Sequence, residues 1–177
     1  MGVVVPTSHD FPDGVSTTSE LNAFVRDPLD FLLTRPFGMF RAPTAGQTVA
    51  TGVMTAITFD EEVYDIPEGH STSTNSSRYY ATYAGWYQLQ GGTGWSSNTV
   101  NRRGGRWAVN GVEVYGTGVY LPATTGGSCE VPMKMFYVYL NVGDYVELYG
   151  YQDSGGNLNT ANLTDTACAM MIMWVSR

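Results

Sequence analysis

Residues 133–151, MKMFYVYLNVGDYVELYGY, predict two β-strands joined by a tight turn at Gly143–Asp144. Successive side chains of a strand point to opposite faces, so every second residue belongs to the same face. One face carries residues typical of a protein core, namely Phe136, Val138, Leu140, Val146 and Leu148. The stretch therefore favours an antiparallel β-sheet with one face buried in a core.

The opposite face of these strands is not typical of a surface exposed to water. It carries Met133, Met135, Tyr137, Tyr139, Tyr145, Tyr149 and Tyr151. The final strand, residues 168–175, is apolar on both faces, whereas a two-layer sandwich covers only one face of each sheet. Tyrosine and methionine are favoured at protein interfaces, so association with partner chains is predicted in preference to cover by an N-terminal helix.

Five further stretches repeat the β signals after residue 36. Runs rich in valine, threonine, isoleucine and aromatic residues span 49–59, 79–90, 106–109, 112–121 and 167–175, and turn residues separate them. Asn110–Gly111 is a strong signal for a two-residue hairpin. Many short strands without intervening helices predict an all-β sandwich, jelly roll or barrel over residues 37–177.

Residues 1–36 have a different pattern. Residues 1–15 are predicted to be extended and rich in turns, and a helix is predicted to begin at a capping box formed by Thr17 and Glu20. Its apolar residues recur at helical spacing: Leu21, Phe24, Val25, Leu29 and Leu32. Pro28 predicts a kink between two short helical pieces, and Arg35–Pro36 predicts their end. The apolar stripe must pack on the β domain, on copies of itself or on another protein.

Composition and charge exclude several functions. The chain has 177 residues, of which only 14% are charged, and its net charge of −7 disfavours binding to nucleic acid. No apolar run is long enough to span a bilayer, and the first residues lack the pattern of a signal peptide, so synthesis in a cytoplasm is predicted. Arg102, Arg103 and Arg106 are predicted to lie in a solvated loop. Cys129 and Cys168 are predicted to be free thiols rather than a disulfide.

The sequence contains no recognisable catalytic constellation. Neither His9 nor His70 belongs to a metal-ligand pattern, and nucleophile-elbow, phosphate-loop and dinucleotide motifs are absent from the sequence. We therefore predict a non-enzymatic protein with no catalytic residues, no metal and no cofactor. The acidic residues between 60 and 68 predict a solvated loop beside an edge strand in preference to a calcium site. Trp95 is predicted in a loop, where it either folds back on the domain or contacts a surface ligand.

Two motifs, in their order along the chain, resemble the jelly rolls of the complement-globular-head and tumour-necrosis-factor-like type. The first is Gly85-Trp-Tyr87-Gln-Leu89, preceded by Tyr79, and it is similar to the family's G-x-Y-x-F/L strand. The second is residues 140–148, which resemble the family's L-x-x-G-D-x-V-x-L hairpin. The resemblance implies an antiparallel jelly-roll sandwich that forms a homotrimer. The predicted trimer interface comprises Tyr87, Tyr137, Tyr139, Tyr145, Tyr149, Met171 and Met173.

A closer resemblance extends over nearly the whole chain. Residues 59–65, 69–72 and 75–78, together with the N-terminal segment, are similar to small structural proteins of tailed phages that infect actinobacteria. This resemblance implies a homotrimeric virion protein, assembled in the host cytoplasm and displayed on the particle surface. Residues 1–36 would then attach it to capsid or tail proteins through Leu21, Phe24, Val25, Leu29 and Leu32.

Two placements on the particle stay open at this point. The short build favours a capsid decoration or head-fibre protein anchored by its N-terminus. The alternative is a minor tail or baseplate protein that acts as an adhesin for a host receptor or glycan, with Trp95 as the contact residue. A secreted cytokine-like ligand is disfavoured by the missing signal peptide. No nucleic acid and no membrane insertion are expected in either placement.

Overall fold

The computed structural model describes residues 17–42, 44 and 46–177, so the predicted extended stretch at 1–15 and His9 lie outside the described residues. Two compact units divide the chain, Met1–Arg35 and Pro36–Arg177.

The described part of the first unit, residues 17–35, is mainly helical. α1 (Thr18–Leu21) is followed by a π-helical turn (Asn22–Arg26) and by α2 (Asp27–Leu33). The capping box has both of its predicted hydrogen bonds: Glu20 N–H donates to the Thr17 hydroxyl at 3.2 Å, and Thr17 N–H donates to the Glu20 carboxylate at 2.7 Å. Two short α-helical pieces are present, and the π-helical turn joins them where a kink at Pro28 was predicted. Pro28 lies in the first turn of α2, where a residue needs no partner for its backbone N–H.

The second unit contains fourteen strands in the described residues. They are β1 Phe37–Arg41, β2 Thr48–Val49, β3 Thr55–Ala56, β4 Glu61–Ile66, β5 Arg78–Tyr80, β6 Gly85–Trp95, β7 Arg102–Val109, β8 Val112–Glu113, β9 Val119–Pro122, β10 Cys129–Pro132, β11 Phe136–Leu140, β12 Tyr145–Gln152, β13 Leu158–Asn159 and β14 Ala169–Ser176. The described strand pairs are antiparallel.

Two six-stranded sheets form the sandwich. The first sheet has the order β6-β14-β1-β4, and β10 and β11 pair with successive halves of the other edge of β6. The second sheet is centred on the pair β12-β7, with β3 and β5 beside β12 and with β8 and β9 beside β7. A small third sheet joins β2 to β13. This is the antiparallel jelly-roll sandwich that the sequence predicts.

The core lies between the two six-stranded sheets. Phe40 and Tyr87 of the first sheet pack against Tyr79 of the second sheet, with ring centroids 6.0 and 6.3 Å apart. Leu89, Ile172 and Leu148 are also fully buried. The alternation along β11 and β12 therefore places the aliphatic residues inside, as the opening stretch predicts.

The two predicted turns have the backbone that their residues favour. Asn110 and Gly111 both have positive φ, 52° and 75°, which is the two-residue hairpin turn whose twist matches that of the flanking strands. Gly143 has φ 87°, and Asp144 N–H donates to the Asn141 carbonyl at 3.1 Å to close the turn between β11 and β12.

Three stretches predicted as loops are strands. The acidic stretch contains β4, an edge strand that pairs with β1. The arginine-rich stretch begins β7, and Arg103 is fully buried there rather than solvated. The stretch that leads to Trp95 continues β6, and close neighbours such as the Ala169 and Thr166 carbonyls leave no room for a Cβ at Gly91 or Gly94.

The two cysteines are free thiols. Cys129 lies on β10, and Cys168 lies just before β14 on the opposite side of β6. Two strand spacings separate them, about 9.5 Å, which exceeds the Cα separation that a disulfide tolerates. Burial raises the pKa of the Cys168 thiol to about 12, so this thiol stays protonated. None of the described helices is long and apolar enough to cross a membrane.

Candidate interaction surfaces

The outer face of the first sheet carries tyrosine, tryptophan and methionine. We call it the tyrosine–methionine face and define it by Trp86, Gln88, Tyr137, Tyr139, Met171 and Met173. Strand pairing places these residues side by side: Tyr137 lies opposite Gln88 and Tyr139 opposite Trp86, while Gln88 lies opposite Met173. Residues paired across antiparallel strands share a face, so the six side chains form one continuous surface.

This surface continues beyond β14 onto β1 and β4. Phe37 lies opposite Met173, and Met39 lies opposite Met171 and Tyr64. The rings of Phe37 and Tyr64 are in contact, with centroids 5.3 Å apart. The apolar residues therefore form a continuous surface across five strands, whereas the apolar residues on the surface of an ordinary monomer are scattered singly.

The centre of the tyrosine–methionine face is both exposed and uncharged. Trp86, Tyr137 and Tyr139 are each about half exposed, at 45%, 45% and 50%. At their outward positions β6, β11 and β14, all within the described part of the chain, carry no charged side chain. Exposed aromatic residues with few charges are typical of the core of a protein interface.

The prediction for Tyr87 was wrong. Tyr87 points into the sandwich, is fully buried, and donates its hydroxyl hydrogen to the Tyr83 carbonyl at 2.8 Å. Burial raises its pKa to about 12. Trp86 faces outward instead. The sequence contains the signal for this assignment, because Tyr87 shares a strand face with the aliphatic Leu89 and the neighbouring Trp86 therefore lies on the other face.

The outer face of the second sheet differs in its chemistry. We call it the arginine–tyrosine face and define it by Arg78, Arg106, Tyr145, Glu147, Tyr149 and Tyr151. The guanidinium carbon of Arg78 lies 4.2 Å from the centre of the Tyr145 ring, and Arg106 pairs with Glu113. Tyr145 and Tyr149 were predicted in the trimer interface, but β12 belongs to the second sheet, so these residues lie on the side of the sandwich opposite Tyr137 and Tyr139.

Glu147 organises the centre of the arginine–tyrosine face. Its carboxylate is almost fully buried and accepts hydrogen bonds from the Ser77 hydroxyl at 2.7 Å, Arg78 Nε at 3.2 Å and the Tyr149 hydroxyl at 3.3 Å. The Glu147 carboxylate therefore has its hydrogen-bond partners within the chain, whereas the exposed surface of the tyrosine–methionine face is mainly apolar.

The prediction of Trp95 as a surface contact residue was also wrong. Trp95 ends β6, is fully buried, and packs with Val49, Val131 and Leu158. Its indole N–H donates to the Thr93 hydroxyl at 3.0 Å. A buried indole with a satisfied N–H cannot stack on an external ligand. Of the two predicted roles of Trp95, the structure supports packing against its own domain.

The acidic stretch uses its carboxylates locally. Asp65 accepts hydrogen bonds from the backbone N–H groups of Gly69 and His70, and Glu62 lies 3.0 Å from Nδ1 of the buried His70. Burial raises the pKa of Asp65, and the two backbone bonds oppose that change. Among the described residues no group of three or more His, Cys, Asp or Glu side chains is placed to hold a metal ion.

Most of the predicted attachment residues are exposed on the helical unit. Leu21, Val25, Leu29 and Leu32 have 47%, 41%, 54% and 56% of their surface exposed, and Leu33 is also exposed. Phe24 is partly buried, and Phe31 is the buried side chain of α2. An exposed row of leucine and valine residues along a helix is a candidate docking surface.

Comparisons with known proteins show the fold. No family model matches the sequence, and no curated protein matches it. Crystal structures of murine APRIL at pH 5.0 and pH 8.5 are similar, with TM-scores of 0.57 and 0.55 and 9% identity; the matches cover 78% and 77% of this chain and 98% of APRIL. The PRD1 vertex protein P5 is similar with a TM-score of 0.56 and 16% identity over 81% of this chain and 99% of P5.

These similarities place the chain in a structural class. They confirm the jelly-roll fold that both predicted resemblances imply. At these identities the comparisons define the fold alone.

Proposed function

We propose that this protein is a non-enzymatic structural component of a phage virion, a homotrimer displayed on the particle surface and anchored by its N-terminal segment. The observation that carries the proposal is the tyrosine–methionine face. It is exposed, apolar, free of charges at its centre and continuous over five strands, which is the character of a surface that is covered in the working assembly.

The covering partner is a second and third copy of the same chain. Most soluble oligomers are closed and symmetric, and the resemblance to tumour-necrosis-factor-like jelly rolls favours three copies. The interface residues in this proposal are Tyr137, Tyr139, Met171, Met173 and Trp86. Tyr87, Tyr145 and Tyr149 are left out because one is buried and two lie on the opposite face.

A virion setting is supported by two kinds of likeness. The sequence resembles structural proteins of tailed phages, and the fold resembles a protein whose name places it at a vertex of PRD1. A vertex is part of a capsid, so this likeness favours a capsid decoration or head fibre over a tail or baseplate protein. The exposed row Leu21, Val25 and Leu29 supplies an apolar surface for attachment to the particle.

The mass of the protein in solution tests the trimer. Light scattering combined with size exclusion should give three times the 19.3 kDa mass of the chain. Electron microscopy of whole virions with a labelled copy should place the protein on the head. A monomeric mass contradicts the trimer, and label confined to the tail contradicts the capsid assignment.

The attachment surface is tested in the full-length chain. Replacement of Leu21, Val25 and Leu29 by glutamine keeps a good helix former at each position and removes the apolar row. We expect a trimer of normal mass that no longer binds to particles stripped of the protein. The matched control replaces Ser19 and Asp30, exposed polar residues of the same unit, by glutamine and should bind normally.

A further inference from the structure

A shallow groove opens at one end of the second sheet, where β7 begins and where β9 and β12 end. Its lining consists of Asn101, Arg102, Tyr120, Leu121, Pro122 and Asp153. Antiparallel pairing brings these residues together, since Arg102 lies opposite Pro122, and Arg103 lies opposite Gln152. The groove is separate from the tyrosine–methionine face because it belongs to the other sheet.

Arg102 is held in a fixed position at the groove. The carboxylate of Asp153 accepts from the Arg102 backbone N–H at 2.8 Å and from Arg102 Nε at 2.9 Å. The guanidinium carbon lies 5.0 Å from the centre of the Tyr120 ring and 5.6 Å from that of Tyr151. A side chain that is already ordered loses little entropy when a ligand binds.

The loop before Arg102 is also fixed, by the buried Arg103. The Arg103 guanidinium donates to the carbonyl oxygens of Asn98 at 3.2 Å and Val100 at 3.0 Å. On the other side of the loop, the Asn101 side chain donates to the Asp153 carbonyl at 2.7 Å. The backbone that carries the groove residues is therefore held from inside the domain and from its surface.

Gly104 leaves room for the rings of Tyr120 and Tyr151, which form the aromatic floor of the groove. It lies opposite both Tyr120 and Tyr151, whose rings meet edge to face with centroids 5.5 Å apart. A Cβ at position 104 would collide with the Tyr120 ring and with the Val119 carbonyl. The absence of a side chain at this position lets the ring of Tyr120 lie across the strand.

Hydrogen-bonding capacity remains around this floor. Each Asp153 carboxylate oxygen accepts one bond from Arg102, which leaves further lone pairs. The Tyr120 oxygen accepts from Arg106 at 2.8 Å, which leaves its own hydrogen to donate. Arg102 is 54% exposed, and Leu121 and Pro122 extend the apolar surface beside Tyr120.

We propose that this groove binds a neutral saccharide. A pyranose ring presents C–H groups on its face and hydroxyl groups, which both donate and accept, around its edge. The Tyr120 ring and Pro122 can pack against the C–H groups of the sugar face. Asp153, Arg102 and the Tyr120 hydroxyl can form hydrogen bonds with the sugar hydroxyl groups. Asp153 and the net charge of −7 disfavour an acidic sugar. The binding depends neither on the trimer nor on the virion setting, so the proposal stands or fails independently of them.

Saturation-transfer NMR on the full-length protein tests the groove. The probes are the methyl glycosides of glucose, galactose and mannose, with methyl glucuronide as the charged comparison, each at about 5 mM because single sugars bind in the millimolar range. We expect saturation transfer to at least one neutral glycoside and a weaker signal for the glucuronide. No signal from the neutral glycosides, or a stronger signal from the glucuronide, overturns the proposal.

Variants locate the binding. Tyr120→Ala should abolish the signal, whereas Tyr115→Ala, which removes a fully exposed tyrosine outside the groove, should leave it unchanged. Tyr120→Phe keeps the ring and the fold and removes only the hydroxyl, so it should weaken binding about fivefold. Binding that is unchanged in Tyr120→Phe and in folded Tyr120→Ala, or that is lost in Tyr115→Ala, overturns the assignment to this groove.

Discussion

The two outer faces of the sandwich carry similar numbers of aromatic residues but differ in their partners. On the arginine–tyrosine face, Tyr145 lies under Arg78, and Tyr149 donates to Glu147. On the tyrosine–methionine face, the ring of Tyr139 contacts the ring of Trp86, with centroids 5.7 Å apart, and the residues around it are apolar or amide side chains. A surface tyrosine therefore indicates an interface only when its neighbours leave it uncovered.

The strongest test of this difference places a charge on the tyrosine–methionine face. Met173→Glu puts a carboxylate at the centre of the proposed interface, where an unpaired buried charge weakens association by about 4 kcal/mol, or ~1000-fold. We expect a folded monomer by light scattering and circular dichroism. Tyr115→Glu adds the same charge at an exposed site and should remain a trimer; a trimeric Met173→Glu protein would show that this face is not the interface.

The opposite face should respond in stability rather than in assembly. Glu147→Ala leaves Ser77, Arg78 and Tyr149 without their shared acceptor, which lowers the free energy of unfolding by about 3 kcal/mol. Denaturant unfolding measures the loss. We expect the assembled mass at low temperature to be unchanged, and a dissociated but stable Glu147→Ala protein would reverse the roles of the two faces.

A matched pair of tyrosines compares the faces directly. Tyr145→Ala removes the ring beneath Arg78 and should lower the free energy of unfolding by about 1 kcal/mol without a change in association. Tyr139→Ala should weaken association and leave the stability of the dissociated chain nearly unchanged, because its ring is half exposed there. Equal effects of the two substitutions on association would remove the distinction between the faces.

The smallest expected effect lies at the turn that joins the faces. Hydrogen bonds from the Asn110 side chain and from Asn141 lower the pKa of Asp144 below its ordinary value. A lowered folded-state pKa stabilises the protein above the unfolded-state pKa, and this stability is lost as the pH falls through the folded-state pKa.

Asp144→Ala should therefore be less stable than the parent by less than about 1 kcal/mol near neutral pH. The difference should shrink as the pH falls below the ordinary pKa of aspartate, which thermal unfolding at several pH values measures. A difference that grows on acidification would contradict the assignment. Neither face should change its behaviour in assembly.

Local signals predicted much of the fold. The alternation in residues 136–140 and 145–148 identified inward residues, and Asn110–Gly111 and Gly143–Asp144 identified turns, because side-chain direction and positive φ are properties of a few neighbouring residues. Local signals failed where a strand is held mainly by its partners. The charged residues of β4 and the glycines of β6 do not favour strands by themselves, and pairing with β1 and β14 decides their conformation.

The candidate surfaces were predicted only in part, because local signals identify outward residues but not the packing of distant segments. Tyr137, Tyr139, Met171 and Met173 were identified from alternation alone, and the exposed helix residues Leu21, Val25 and Leu29 from helical spacing. Trp95 was misplaced because the glycines around it resemble a loop, whereas the Trp95 side chain completes a small core with Val49 and Leu158. The groove at Tyr120 gave no sequence signal, since its residues come from three separate strand ends.

Strand alternation in the sequence is sufficient to predict an antiparallel β protein with an aliphatic core side and a tyrosine-rich opposite side. The membership of β11 in the first sheet and of β12 in the second follows from strand pairing in the folded chain. The turn at Asn141–Asp144 carries the chain from one sheet to the other, so tyrosines that share a pattern in sequence face opposite sides of the sandwich. Strand alternation depends on the backbone of one strand, whereas sheet membership depends on hydrogen bonds to strands distant in the chain.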